Sequence, residues 1–158
     1  MNFDLAVQAL TDGGVEFVII DGWCAILHGS SYVTNDLDIF FSRKAENVRR
    51  LGRALSLFHP RLRELDPGLP FVWDEATLRN GAVFTLTTGV GMIDLLAEVA
   101  GLGPFDDVKA RAVETEAFGR RVLTLDLPSL IQAKRAAGRE KDLRSLPELE
   151  GLLEAEEQ

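Results

Sequence analysis

Apolar positions along the chain change period several times, and each change marks an element. Phe3, Leu5, Ala6 and Leu10 recur at helical spacing behind a capping Asn2, and Gly13-Gly14 ends the run. Val15 to Ile20 is a β-rich run bounded by glycine, the pattern of a buried strand. Gly22 then opens Trp23-Cys24-Ala25-Ile26-Leu27-His28, which is apolar throughout, closes at Gly29 and predicts a short buried helix. The polar stretch Ser30 to Asn35 predicts a loop and Leu37 to Phe41 a second strand. Ala45 to Phe58 predicts a helix with Val48, Leu51, Leu55 and Phe58 on one face.

Pro60, Pro67, Gly68 and Pro70 predict an irregular connection. Beyond it, Ala82 to Thr87 and Gly91 to Leu96 flank Thr88-Gly89-Val90 as a hairpin, which puts Asp94 on a strand. A short helix near Phe105 to Arg111 precedes a second hairpin, Val113 to Phe118 and Arg121 to Leu125, joined at Gly119-Arg120. Asp126 with Pro128 starts a helix through Leu130, Ile131, Ala133 and Lys134, and an acidic helical tail follows. The order predicts an α/β (α+β) protein: residues 1–126 as a core and 127–158 as a helical extension packed on it, one domain overall. No repeat or low-complexity tract interrupts it.

Composition narrows the class. At 158 residues and 46% hydrophobic content the chain suits one domain with a full core. Its apolar runs fall far short of the roughly 18 residues of a membrane span, so no membrane association is expected. Met1-Asn2-Phe3-Asp4 lacks the basic and apolar regions of a secretory signal, and Cys24 has no second cysteine to pair with. A reducing cytoplasm is the expected location. With 25 acidic and 17 basic side chains the formal charge is -8, which argues against general nucleic-acid binding, although a local basic patch can override it.

The candidate chemistry lies in Thr34-Asn35-Asp36-Leu37-Asp38-Ile39-Phe40. Residues two apart on a strand share a face, so Asp36 and Asp38 point together while Leu37 and Ile39 enter the core. Two carboxylates this close favour a hard divalent ion, and magnesium commonly takes one or two carboxylates plus substrate phosphates. The same spacing also fits an exposed strand edge or an Asx-turn. Asp94, set among apolar residues of its strand, is costly there unless it serves a site or reaches solvent at a strand end. Three converging carboxylates would hold two ions for in-line displacement at phosphorus, with Asp94 placed to help deprotonate an acceptor hydroxyl. Gly22, between a strand and a helix, permits close phosphate approach or simply makes the turn. His28 reads as a structural hydrogen-bonding group and Trp23 as core, with stacking on a base as the alternative; His59 carries no functional signal.

The run Phe17-Val18-Ile19-Ile20-Asp21-Gly22-Trp23-Cys24-Ala25-Ile26-Leu27-His28-Gly29, followed by Thr34-Asn35-Asp36-Leu37-Asp38-Ile39, resembles the nucleotidyltransferase superfamily that includes polymerase beta. It looks closest to the small prokaryotic toxin-like branch, and the similarity continues through Asp94 and the segment Asp126 to Asp142. The resemblance implies a mixed β-sheet flanked by helices with a short helical C-terminus. It also implies a nucleoside triphosphate donor, two magnesium ions on Asp36, Asp38 and Asp94, and transfer of a nucleotide as pyrophosphate leaves. By the same resemblance Gly22, Thr34, Lys134 and Arg139 bind the nucleotide, and Asp142 anchors the helical turn.

Two positions depart from that pattern. Asp21 stands where relatives carry the first glycine of a pair, and its carboxylate opposes a triphosphate. Tyr32 stands where many relatives carry arginine. The expected function is therefore magnesium-dependent nucleotidyl transfer to an RNA, protein or small-molecule acceptor, as the toxin of a toxin-antitoxin pair or with a homodimeric partner. The alternative is a catalytically impaired member acting as a binding or regulatory module. A phosphohydrolase ranks third, because Asp36 lacks the motifs of aspartyl-phosphate enzymes and no His-Asp metal cluster is present.

Overall fold

A computed structural model describes residues 2–158. The chain runs α1 (Phe3–Asp12), β1 (Phe17–Ile20), α2 (Asp21–Leu27), β2 (Asp36–Phe41), α3 (Ala45–Ser56), β3 (Arg61–Leu62) and α4 (Glu75–Arg79). It continues with β4 (Val83–Thr88), β5 (Gly91–Leu96), α5 (Phe105–Arg111), β6 (Val113–Ala117), β7 (Arg120–Thr124), α6 (Leu127–Ala137) and α7 (Glu140–Glu156).

The strands form one seven-stranded mixed sheet in the order β3-β4-β5-β2-β1-β7-β6. β1 and β2 are antiparallel, while β2 and β5 are parallel despite the long connection between them. Burial follows the pleat. In β2, Leu37 and Ile39 are wholly buried, whereas Asp36 and Asp38 lie on the opposite, partly open face. In β5, Ile93 and Leu95 are buried and Asp94 faces the other way. Leu130 and Ile131 of α6 and Leu149 of α7 belong to the same apolar cluster as the strands, so the C-terminal helices share the core.

Several boundaries differ from the pattern-based reading. β1 starts at Phe17 rather than Val15, and α2 starts at Asp21 rather than after Gly22, because Asp21 itself adopts the left-handed region at φ 57° and turns the chain directly from strand to helix. β2 begins at Asp36, so both carboxylates are strand residues. The stretch read as irregular contains β3 and α4. Both are too short to show a period; α4 is held by its cap, where the Asp74 side chain accepts from the Thr77 N–H at 2.8 Å. Trp73 Nε1 donates to the Gly52 carbonyl at 2.8 Å and ties this segment to α3. Among the described residues no helix is long and apolar enough to cross a membrane.

Candidate active site

Sheet register assembles the acidic wall of the site. Asp38 lies beside Asp94 in the β2–β5 ladder, and Asp94 beside Thr85 in the β4–β5 ladder. Laterally paired residues share a face, so two carboxylates separated by more than fifty positions in the chain become neighbours. Asp36 stands two residues before Asp38 on that same face. Thr34 pins it there: its hydroxyl donates to the Asp36 carbonyl and accepts from the Asp36 N–H, both at 3.3 Å. Gly22 completes the packing, since a Cβ at that position would sit 2.9 Å from Thr34 Cβ. The glycine is required by the fold whatever else approaches it.

The basic wall comes from the turn between α6 and α7. Gly138, in the left-handed conformation at φ 64°, ends α6 and redirects the chain so that Arg139 caps α7. Asp142 is fully buried and collects both cations. Its carboxylate accepts from Arg139 Nε at 2.7 Å and lies 3.4 Å from Lys134 Nζ. Burial alone would raise the Asp142 carboxyl, but Arg139 and Lys134 outweigh it and hold the group below its ordinary value. Lys134, 14% exposed, is opposed by burial and favoured by Asp21 and Asp142, and the carboxylates win: its affinity for the proton rises.

These walls face each other across a cavity of about 500 Å³ whose lining includes Gly22, Thr34, Asp36, Asp38, Asp94, Lys134 and Arg139. All seven residues singled out from the sequence therefore meet in one place. Asp38 is the group under most electrostatic pressure. Burial, then the charges and hydrogen bonding of Asp21, Asp94 and Asp36, push its carboxyl up to about 8. A cation would relieve that pressure. As folded, Asp94 is engaged by Arg63, whose Nη2 lies 2.9 Å from Asp94 Oδ1, and among the described residues no group of three or more His, Cys, Asp or Glu is arranged to enclose an ion.

Asp21 and Tyr32 also line the cavity. The Asp21 carboxylate does not face empty space but forms an ion pair with Lys134. Tyr32 is half-exposed at the rim, its N–H donating to Ser30 Oγ at 3.0 Å. Ser30 and Ser31 are in turn held by Glu148 of α7, with Ser31 Oγ donating to Glu148 Oε2 at 2.9 Å. His28 bonds the Leu125 carbonyl through Nε2 at 2.6 Å, a structural role, and Trp23 packs edge-on between Phe3 and Phe118. His59 lies outside the cavity.

Sequence reasoning missed Arg63, Lys141 and Arg144. The last two line the cavity from the first turns of α7 and extend its basic wall. Their spacing from Lys134 and Arg139 becomes meaningful only once the α6–α7 turn is known. Arg63 follows a two-residue edge strand and has no local signal.

No protein-family model matches the chain, and no curated protein matches it. Solved structures do. ANT(2'')-Ia in complex with adenylyl-2''-tobramycin superposes with a TM-score of 0.60 at 18% identity, over 96% of this chain and 87% of that one. A candidate nucleotidyltransferase from Thermotoga maritima gives 0.56 at 16% identity, over 90% and 86%. The solution structure of the antibiotic-resistance factor ANT(2'')-Ia gives 0.56 at 18% identity, over 96% and 82%. At these identities the likeness establishes a shared fold.

Proposed function

We propose that this chain, which has the nucleotidyltransferase fold, moves a nucleotide from a nucleoside triphosphate to an acceptor hydroxyl in a magnesium-dependent reaction. The observation that carries the reading is the single cavity in which strand carboxylates confront the cations of α6 and α7. That polarity suits a metal-bound polyphosphate: magnesium on one wall, phosphate oxygens on the other.

Asp36 and Asp38 fit the ion by their chemistry, as paired oxygen donors on one face with no cationic side chain among their described ion pairs, and a bound cation would offset the burial and neighbouring carboxylates that push the Asp38 proton affinity up. Bound there, magnesium supplies Lewis-acid polarisation of the phosphoryl group. The remaining work falls to the chain. Lys134 and Arg139, held in place by Asp142, bind the triphosphate oxygens and orient the α-phosphorus. Asp94 accepts the proton of the acceptor hydroxyl. The acceptor oxygen bonds to the α-phosphorus as the bond to the β-phosphate oxygen breaks, and pyrophosphate leaves.

ANT(2'')-Ia, with its adenylylated tobramycin, points to a small hydroxyl-bearing acceptor by analogy of fold. The charge of -8 is consistent with a neutral or cationic acceptor rather than a polyphosphate chain. Incubation with each α-labelled triphosphate, magnesium and panels of small polyhydroxylated amines, RNA and protein tests this. Label transfer with release of pyrophosphate is expected, and its absence with folded protein under every condition overturns the reading.

A second reading is favoured by the Asp21–Lys134 ion pair, which occupies a cation that the donor needs. In that case the protein binds nucleotide without turnover. Calorimetric binding of magnesium triphosphate, lost in Asp36→Ala and unaccompanied by pyrophosphate release, would establish it.

A further inference from the structure

The carboxylates of the cavity are not equally free. Asp21 is paired with Lys134 and Asp94 with Arg63, which leaves Asp36 and Asp38 without a cationic partner among the described ion pairs. Arg63 reaches Asp94 by register. Leu62 pairs with Leu86, the Arg63 N–H continues that ladder to the Thr85 carbonyl at 2.8 Å, and Thr85 pairs with Asp94. Arg63, Thr85, Asp94 and Asp38 therefore stand in one row across four strands. Arg63 and Asp94 are two strand spacings apart, roughly 10 Å, a gap that an arginine and an aspartate side chain can close over the short Thr85 between them.

The guanidinium is built in rather than resting on the surface. Nη2 donates to both Asp94 Oδ1, at 2.9 Å, and the Leu86 carbonyl, at 3.0 Å, and Nε is buried. Arg63 is 26% exposed and Asp94 17%, so water screens the pair less than it would on an open surface. An arginine does not lose its charge in a protein. A permanent positive charge thus sits on the carboxylate that would otherwise help hold a second divalent ion, and a second ion beside it would meet like-charge repulsion.

We infer that Arg63 stands in for one of the two divalent ions: it neutralises and positions Asp94, so that the site takes a single ion on Asp36 and Asp38. This rests on the nucleotidyl-transfer reading of the cavity. It makes Arg63 a positioning residue, acting through Asp94 and touching neither donor nor acceptor.

Counting bound Mn2+ tests it, by titrating the whole protein and following free Mn2+ by electron paramagnetic resonance. Wild type is expected to bind one ion, Arg63→Met two, and the charge-preserving Arg63→Lys one. Two ions on wild type, or one on folded Arg63→Met, overturns the inference while leaving the metal reading intact. No ion on wild type, or an ion indifferent to Asp36→Asn, overturns the metal reading and this inference with it. Should Arg63→Met fail to fold, the wild-type count decides: one ion supports the inference and two refute it.

Discussion

Asp21 and Lys134, 113 positions apart in the chain, form an ion pair at the wall between the carboxylate-lined cavity and a smaller apolar one of about 150 Å³. Asp21 holds the left-handed backbone conformation at φ 57°, which glycine adopts without strain, so the position is conformationally a glycine position carrying a carboxylate.

Replacing that carboxylate releases Lys134 toward the donor. Asp21→Gly is expected to tighten binding of magnesium triphosphate roughly tenfold, the equivalent of about 1.4 kcal/mol of relieved competition. Calorimetry on both proteins measures it; weaker binding in the variant would mean that Asp21 assists the ion instead.

Burial and the carboxylates of Asp21, Asp94 and Asp36 push the Asp38 carboxyl up to about 8. Asp38→Asn is expected to reduce nucleotidyl transfer by about a thousandfold, in the range seen when charge-stabilising groups are removed. Melting temperature in metal-free buffer should hold or rise, because the amide relieves repulsion from Asp21, Asp94 and Asp36. A large loss of stability would show that Asp38 serves the fold.

Asp142 behaves oppositely. It is wholly buried and paired with Lys134 and Arg139, so Asp142→Asn should cost about 3 kcal/mol at pH 7. Its folded carboxyl sits below the ordinary value of 3.8. The stabilisation is therefore complete above 3.8 and fades as pH falls through the depressed folded value. Urea denaturation between pH 3 and 7 should show the gap between wild type and variant constant near neutrality and closing in acid.

Glu148 fastens the Ser30–Ser31 segment to α7 at the cavity rim. These contacts are exposed, so Glu148→Ala should change stability by less than about 1 kcal/mol. Loosening the rim should nonetheless raise KM for the triphosphate several-fold and speed amide exchange across residues 30–35. Unchanged exchange there would refute the fastening role.

How much of this was legible in the chain differs from feature to feature. The Asp36–Asp38 pair was readable because alternation along a strand is a local property: Leu37 and Ile39 announce which face is core, and the carboxylates take the other. β3 and α4 were not, because two- and five-residue elements are shorter than any period, and both depend on contacts with β4 and α3.

The main helices and strands and the paired carboxylates thus followed from the sequence by itself, since each depends on side chains a few positions apart, whereas the left-handed Gly138 that separates α6 from α7 emerged only in the structure. Tertiary structure alone decided that β5 lies parallel beside β2 and brings Asp94 to Asp38, that Arg63 reaches the same row, and that Asp21 closes on Lys134. Those relationships join residues 31 to 113 positions apart, and local pattern carries no information about such pairings. They are selected by burial of the whole sheet and by the cost of leaving a charge in the interior without a partner.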